Sequence, residues 1–88
     1  MMADESRENR LKRLKMRSWR RGTKEMDLIL GPFSDARLKD LSDQDLNTYE
    51  ALLNQNDQDL YLWFSGQSPA PEDLRAMIET ILPEGRFA

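Results

Sequence analysis

The residues of this chain best suited to chemistry crowd around one glycine. In Arg20-Arg21-Gly22-Thr23-Lys24-Glu25-Met26-Asp27, three cations and two carboxylates flank Gly22. Such groups can pair with charges on another surface, but they contain no nucleophile beside a base. The chain has no histidine and no cysteine. That removes the commonest general base near neutral pH, the usual zinc ligand and all thiolate chemistry. Ser18, Ser34, Ser42, Ser65 and Ser68 have no imidazole to activate them, and every lysine lies in the first thirty-nine residues. Asp43, Asp45, Asp57 and Asp59 do not follow a calcium-loop spacing, and glycines scattered singly make no phosphate loop. The chemistry these residue types allow is docking, with no catalytic residue, no metal and no cofactor of the chain's own.

A corner of this kind needs an element on each side. The pattern is helical throughout and predicts an all-α fold, a compact bundle of five short helices in one domain. The first helix is expected over about residues 6–21, with Leu11, Leu14 and Ser18 on one stripe and Trp19 beside it. Gly22 is expected in the left-handed conformation that ends a helix. The second segment starts near Thr23, with Met26, Ile29, Leu30 and Phe33 at i, i+3, i+4, i+7. Pro32 interrupts it, yet Phe33 stays in phase, which predicts a kinked helix reaching about Lys39. Glu25, at its third position, is placed to reach back to the Gly22 amide.

Ser42 is the expected cap of the third helix, with Asp45 three residues on and Leu41 and Leu46 as a hydrophobic staple. Leu46, Tyr49, Leu52 and Leu53 are its apolar side. Asp57 is the expected cap of the fourth helix, which Gly66 ends. Pro71 suits the first turn of the fifth helix, where Leu74, Met77, Ile78 and Ile81 form the stripe and Pro83 and Gly85 the stop. Residues 1–5 and 84–88 are expected to fray. Phe33, Tyr61, Trp63 and Phe64 read as core, and Trp19, beside the charged corner, as a contact aromatic.

Eighty-eight residues support one small core. The net charge of −3 conceals an asymmetry: residues 1–24 carry nine cations and three acids, and the remainder is strongly acidic. A basic arm can attract nucleic acid or fold against its own acidic body. Its helix has no run of interleaved Asn, Gln and aromatic residues for base readout, only Asn9 and Trp19 at its two ends, and the acidic body would repel a duplex. A small helical adaptor or nucleic-acid-associated regulator using this arm is the alternative function. No apolar run approaches the roughly 20 residues of a membrane span. Asp4, Glu5 and Glu8 are out of place in a mitochondrial presequence, so a bacterial cytoplasm is expected over a mitochondrial matrix.

Arg21-Gly22-x-x-Glu25 followed by Met26-Asp27 resembles the signature of the succinate dehydrogenase flavinylation factors, also called succinate dehydrogenase assembly factor 2. Pro32-Phe33, Leu41-Ser42-Asp43 and the run from Asp57 to Trp63 resemble later landmarks of that family, in order and with similar spacing. The resemblance covers about residues 10–82. It implies a five-helix fold and a role in binding the flavoprotein subunit of succinate dehydrogenase, or of fumarate reductase; the protein itself is expected to be a monomer. It also implies that the FAD, and the histidine to which it becomes attached, belong to the partner. Arg21, Gly22 and Glu25 carry the implied interface role, with Trp19, Arg20 and Asp27 as neighbours.

Overall fold

Four of the helices begin with the same device. A side-chain oxygen of the capping residue accepts the backbone N–H three residues on: Ser6 from Asn9 at 3.1 Å, Thr23 from Met26 at 3.4 Å, Ser42 from Asp45 at 3.1 Å and Asn56 from Asp59 at 2.8 Å. Each cap satisfies an amide that has no partner within its helix and contributes roughly 1 kcal/mol. The helices they open are α1 (Arg7–Trp19), α2 (Lys24–Arg37), α3 (Asp43–Leu53) and α4 (Asp57–Phe64). The last, α5 (Glu72–Ile81), follows Pro71 without a side-chain cap and starts instead with Glu72 and Asp73 near its positive end. The structure is a computed structural model and describes residues 5–82.

These five α-helices, with a 3₁₀ turn at Leu38–Asp40, make the described residues all-α, as the sequence predicts. α1 packs chiefly on α2, α2 on α4, and α3 on α5. The core gathers one stripe from each helix: Leu14, Met26, Leu30, Phe33, Leu46, Tyr49, Leu52, Leu53, Leu60, Phe64, Leu74, Met77, Ile78 and Ile81 are all buried. Phe33 and Tyr49 stack with centroids 5.7 Å apart. Two polar side chains are also buried. Ser18 Oγ donates to the Leu14 carbonyl at 2.8 Å and lies 2.6 Å from the Tyr49 hydroxyl. Ser18 has one proton, so the Tyr49 hydroxyl is the donor between them. Burial pushes Tyr49 up to about 12, against the opposing effect of the Arg21 charge.

α2 runs through Pro32. A proline inside a helix costs about 3 kcal/mol. Burying Leu30 and Phe33 on either side of it contributes roughly 2 kcal/mol each, so the helix continues.

Several expectations are corrected. α1 stops at Trp19, not Arg21, and Gly22 is not left-handed: among the described residues only Gly66 has a positive φ, +82°. Asn56, not Asp57, caps α4, because Asp57 is engaged elsewhere. Pro71 stands at the cap of α5 rather than inside its first turn. Of the aromatics expected in the core, Phe33 and Phe64 are buried and Trp63 is half-buried against it, but Tyr61 is exposed. The proposed stop at Pro83 and Gly85 lies outside the described residues.

Candidate docking site

Between α1 and α2 the chain turns through Arg20–Thr23, and Asp57 at the start of α4 holds that turn. Asp57 Oδ2 accepts the Gly22 amide at 2.7 Å and the Thr23 amide at 3.0 Å. Asp57 Oδ1 accepts Arg21 Nε at 2.9 Å and pairs with Arg21 Nη2 at 2.8 Å. The Arg21 guanidinium also donates to the carbonyls of Leu53, at 2.6 Å, and Gln55, at 2.7 Å. Those carbonyls lie at the end of α3, where a cation is favoured. On the other side, Asp27 Oδ1 accepts the Arg21 amide at 2.7 Å. A planar guanidinium with several donors suits this cluster of oxygens better than an ammonium would.

The six residues singled out by sequence therefore divide. Arg21 and Asp27 serve the turn internally: the Arg21 side chain is only 11% exposed and that of Asp57 only 14%. Gly22 is exposed, and so are Arg20 and Glu25. The side chains of Arg20, Lys24 and Glu25 make no hydrogen bond or ion pair among the described residues. Glu25 does not reach back to the Gly22 amide, because Asp57 already holds it. Trp19 is 41% exposed, with its indole N–H donating to Asp35 Oδ1 at 3.2 Å and its ring lying on Gly31.

Sequence reasoning missed Asp57. Its position three residues before Leu60 made it a plausible cap, but Asn56 caps equally well and is spaced three residues from Asp59. Moving the cap by one residue releases Asp57 to bind a turn thirty-five residues earlier in the chain. A groove of about 390 Å³ opens beside the turn, walled by Thr23, Glu25, the Asp57–Asp59 stretch, Tyr61 and Leu62. It joins the exposed Glu25 to an apolar wall from α4.

The basic arm folds against the body. Arg7 pairs with Asp43 at 2.7 Å, Arg10 with Glu50 at 3.0 Å, and Arg13 with both Glu50 and Glu5 at 2.8 Å. Arg17 donates to Asn54 Oδ1 at 2.9 Å and to the Leu53 carbonyl at 3.2 Å. Steps of three or four residues place all four arginines on the α3 side of α1. Arg13, then burial in opposition, then Arg10 set the Glu50 carboxyl, and the net effect holds it below the usual carboxylate range. The lysines face outward: Lys12 is 3.8 Å from Glu8, and Lys15 is 3.5 Å from Asp35. Among the described residues, no cluster of acidic residues is arranged to hold a metal ion. No helix among them is long and apolar enough to cross a membrane.

Residues 12–84 match a family model described as the flavinator of succinate dehydrogenase. The chain is 38% identical over 86 residues to a protein of Colwellia psychrerythraea named FAD assembly factor SdhE, covering 93% of this chain and 94% of that one. It is 37% identical over 83 residues to succinate dehydrogenase assembly factor 2-A, mitochondrial, of Drosophila persimilis, covering 92% of this chain and 52% of that one. A Mycosarcoma maydis protein, succinate dehydrogenase assembly factor 2, mitochondrial, is 37% identical over 67 residues, which are 76% of this chain and 28% of that one. The chain thus spans about half, or less, of these two mitochondrial relatives and nearly all of the bacterial one.

Proposed function

We propose a function from one premise: this chain belongs to the family of flavinators of succinate dehydrogenase. It binds the flavoprotein subunit of succinate dehydrogenase and promotes covalent attachment of FAD to that subunit. The flavoprotein subunit of fumarate reductase is a second client of the same kind. The protein acts as a monomer in the bacterial cytoplasm. FAD stays with the partner, and the reacting groups are the partner's.

One observation carries this reading: Asp57 fixes the turn at Gly22 from beneath, leaving the glycine backbone and the Glu25 carboxylate outward beside an open groove. That is a preformed surface, and binding to it loses little entropy in ordering. Without an imidazole or thiol in the chain, the site acts by selecting a conformation of the flavoprotein. Binding one arrangement of the partner more tightly than others shifts its population toward that arrangement. If that arrangement aligns flavin and acceptor, the attachment accelerates without any group from this chain entering the reaction. Gly22 lets the partner's backbone approach closely, and Glu25 supplies a charged contact. Arg21 acts through the turn it holds, while Trp19 and Arg20 lie at the periphery.

The test is deletion of the gene in its host, followed by complementation with the wild type or with Glu25→Ala. In-gel flavin fluorescence of the flavoprotein subunit reports covalent FAD. The expected result is loss on deletion, restoration by the wild type and reduced signal with the variant. Full fluorescence after deletion would end this reading.

A further inference from the structure

The groove beside Glu25 has a definite sign. Its wall contains three carboxylates, those of Glu25, Asp57 and Asp59, and no cation. Asp57 is neutralised by Arg21, whose own guanidinium is turned inward onto the Leu53 and Gln55 carbonyls. Asp59 accepts from the Asn56 side-chain amide at 3.0 Å, a neutral donor that leaves its charge in place. Glu25 has no hydrogen-bond or ion-pair partner among the described residues. Two carboxylates without a cationic side-chain partner among the described residues thus rim a concavity whose remaining wall is Thr23, Gln58, Tyr61 and Leu62, the last two supplying its hydrocarbon surface.

We infer that this groove receives a cationic side chain with an aliphatic stem, an arginine or lysine, from the flavoprotein subunit. The stem lies along Tyr61 and Leu62 while the head group reaches Glu25, the division of labour that long basic side chains adopt on apolar surfaces. An acidic or neutral side chain entering the same groove would leave Glu25 desolvated without compensation, which is costly. The inference rests on the function proposed above and adds to it the chemistry of the contact.

Glu25 suits a clean test because its side chain makes no hydrogen bond or ion pair among the described residues; its variants lose only a weak favourable interaction with the positive end of α2 and should melt within a few degrees of the wild type. The experiment is calorimetric titration of the purified flavoprotein subunit into the full chain at low and high salt, using the wild type, Glu25→Gln and Glu25→Arg. Affinity should fall about 10-fold for Glu25→Gln and about 100-fold for Glu25→Arg at low salt. The wild type should lose more affinity with added salt than Glu25→Gln does. Equal affinities for the three proteins, or tighter binding by Glu25→Arg, would overturn the inference while leaving the function intact. A wild type that does not bind the subunit would overturn the function and the inference together. Self-association of the wild type that Glu25→Arg abolishes, with flavoprotein affinity unchanged, would assign the groove to a second copy of the chain and so reject the inference.

Discussion

The indole of Trp19 occupies the space that a side chain at Gly31 would need: a β-carbon there would lie 2.4 Å from the ring. Glycine inside a helix normally costs about 1 kcal/mol relative to alanine. Here that cost permits close packing of α1 on α2, with the indole N–H reaching Asp35. Gly31→Ala should therefore destabilise the protein by about 1–2 kcal/mol, because the displaced ring outweighs the gain in helix propensity. Thermal unfolding checks the sign, and a red-shifted Trp19 emission would report the expelled indole once Trp63 is replaced by phenylalanine.

The turn at Gly22 depends on Asp57 more than on any residue within it. Removing its carboxylate leaves two amides without their acceptor and the Arg21 guanidinium buried without its counter-charge. Asp57→Ala should cost about 3 kcal/mol, since breaking a buried ion pair is worse than never having built it. Asn56→Ala should cost only about 1 kcal/mol, the ordinary loss of a cap. Denaturant unfolding of the two variants separates the assignments, and equal losses would return Asp57 to the role of a cap. Asp57→Asn keeps one acceptor oxygen and should fall between wild type and Asp57→Ala, with faster amide exchange at Gly22 and Thr23.

Glu50 is the hub that joins α1 to α3, within 3.0 Å of Arg10, 2.8 Å of Arg13 and 3.9 Å of Arg17. Its carboxyl is held below its ordinary value of 4.5, first by the Arg13 hydrogen bond. A depressed folded value means the unfolded chain takes up the proton more readily. The stabilisation is therefore complete above about pH 4.5 and is lost as pH falls below that through the lowered folded value. The melting-temperature gap between wild type and Glu50→Gln should be widest near neutral pH and close in acid. A gap unchanged at pH 3 would show that the arginines do not depend on the Glu50 charge. The same ladder predicts weak nucleic-acid binding at low salt, because Arg7, Arg10, Arg13 and Arg17 already have partners.

The helices were legible because their apolar stripes recur at helical spacing: the stripes of α3 and α5 are buried in full, while Leu11 on α1 and Ile29 on α2 are half-buried at the edge of the core. Caps were legible where a hydrophobic staple fixes the helix start, as Leu41 and Leu46 do at Ser42. They were not at Asn56-Asp57, where two good caps adjoin and only a long-range partner decides between them. Arg21, Gly22 and Glu25 were visible as a motif, but their division was not. Whether a guanidinium faces a partner or its own chain depends on which carbonyls and carboxylates the fold brings near, here from the end of α3 and the start of α4. The basic arm was ambiguous for the same reason: charge composition does not say which face of α1 meets Glu50. Tyr61 was misplaced in the core because α4 has only eight residues, and a period is poorly defined over two turns.

Gly22 separates docking from folding most directly. Its φ is not positive, so a side chain is not excluded by backbone strain. A β-carbon would lie 3.2 Å from Asp57 Oδ2, a contact relieved by a few tenths of an ångström of movement in that carboxylate. Gly22→Ala should therefore change stability by less than about 1 kcal/mol. Gly22→Arg carries the same β-carbon but extends a long cation from the exposed turn toward the groove, where it can pair with Glu25 and stand between the two proteins. It should melt within a few degrees of Gly22→Ala yet lose flavoprotein binding and covalent flavin, whereas Gly22→Ala keeps most of both. Circular dichroism melts beside a pulldown of the flavoprotein subunit make the comparison. A collapse in the stability of both variants would mean that the glycine serves the Asp57 clamp, and intact binding by Gly22→Arg would mean that no partner approaches this turn closely.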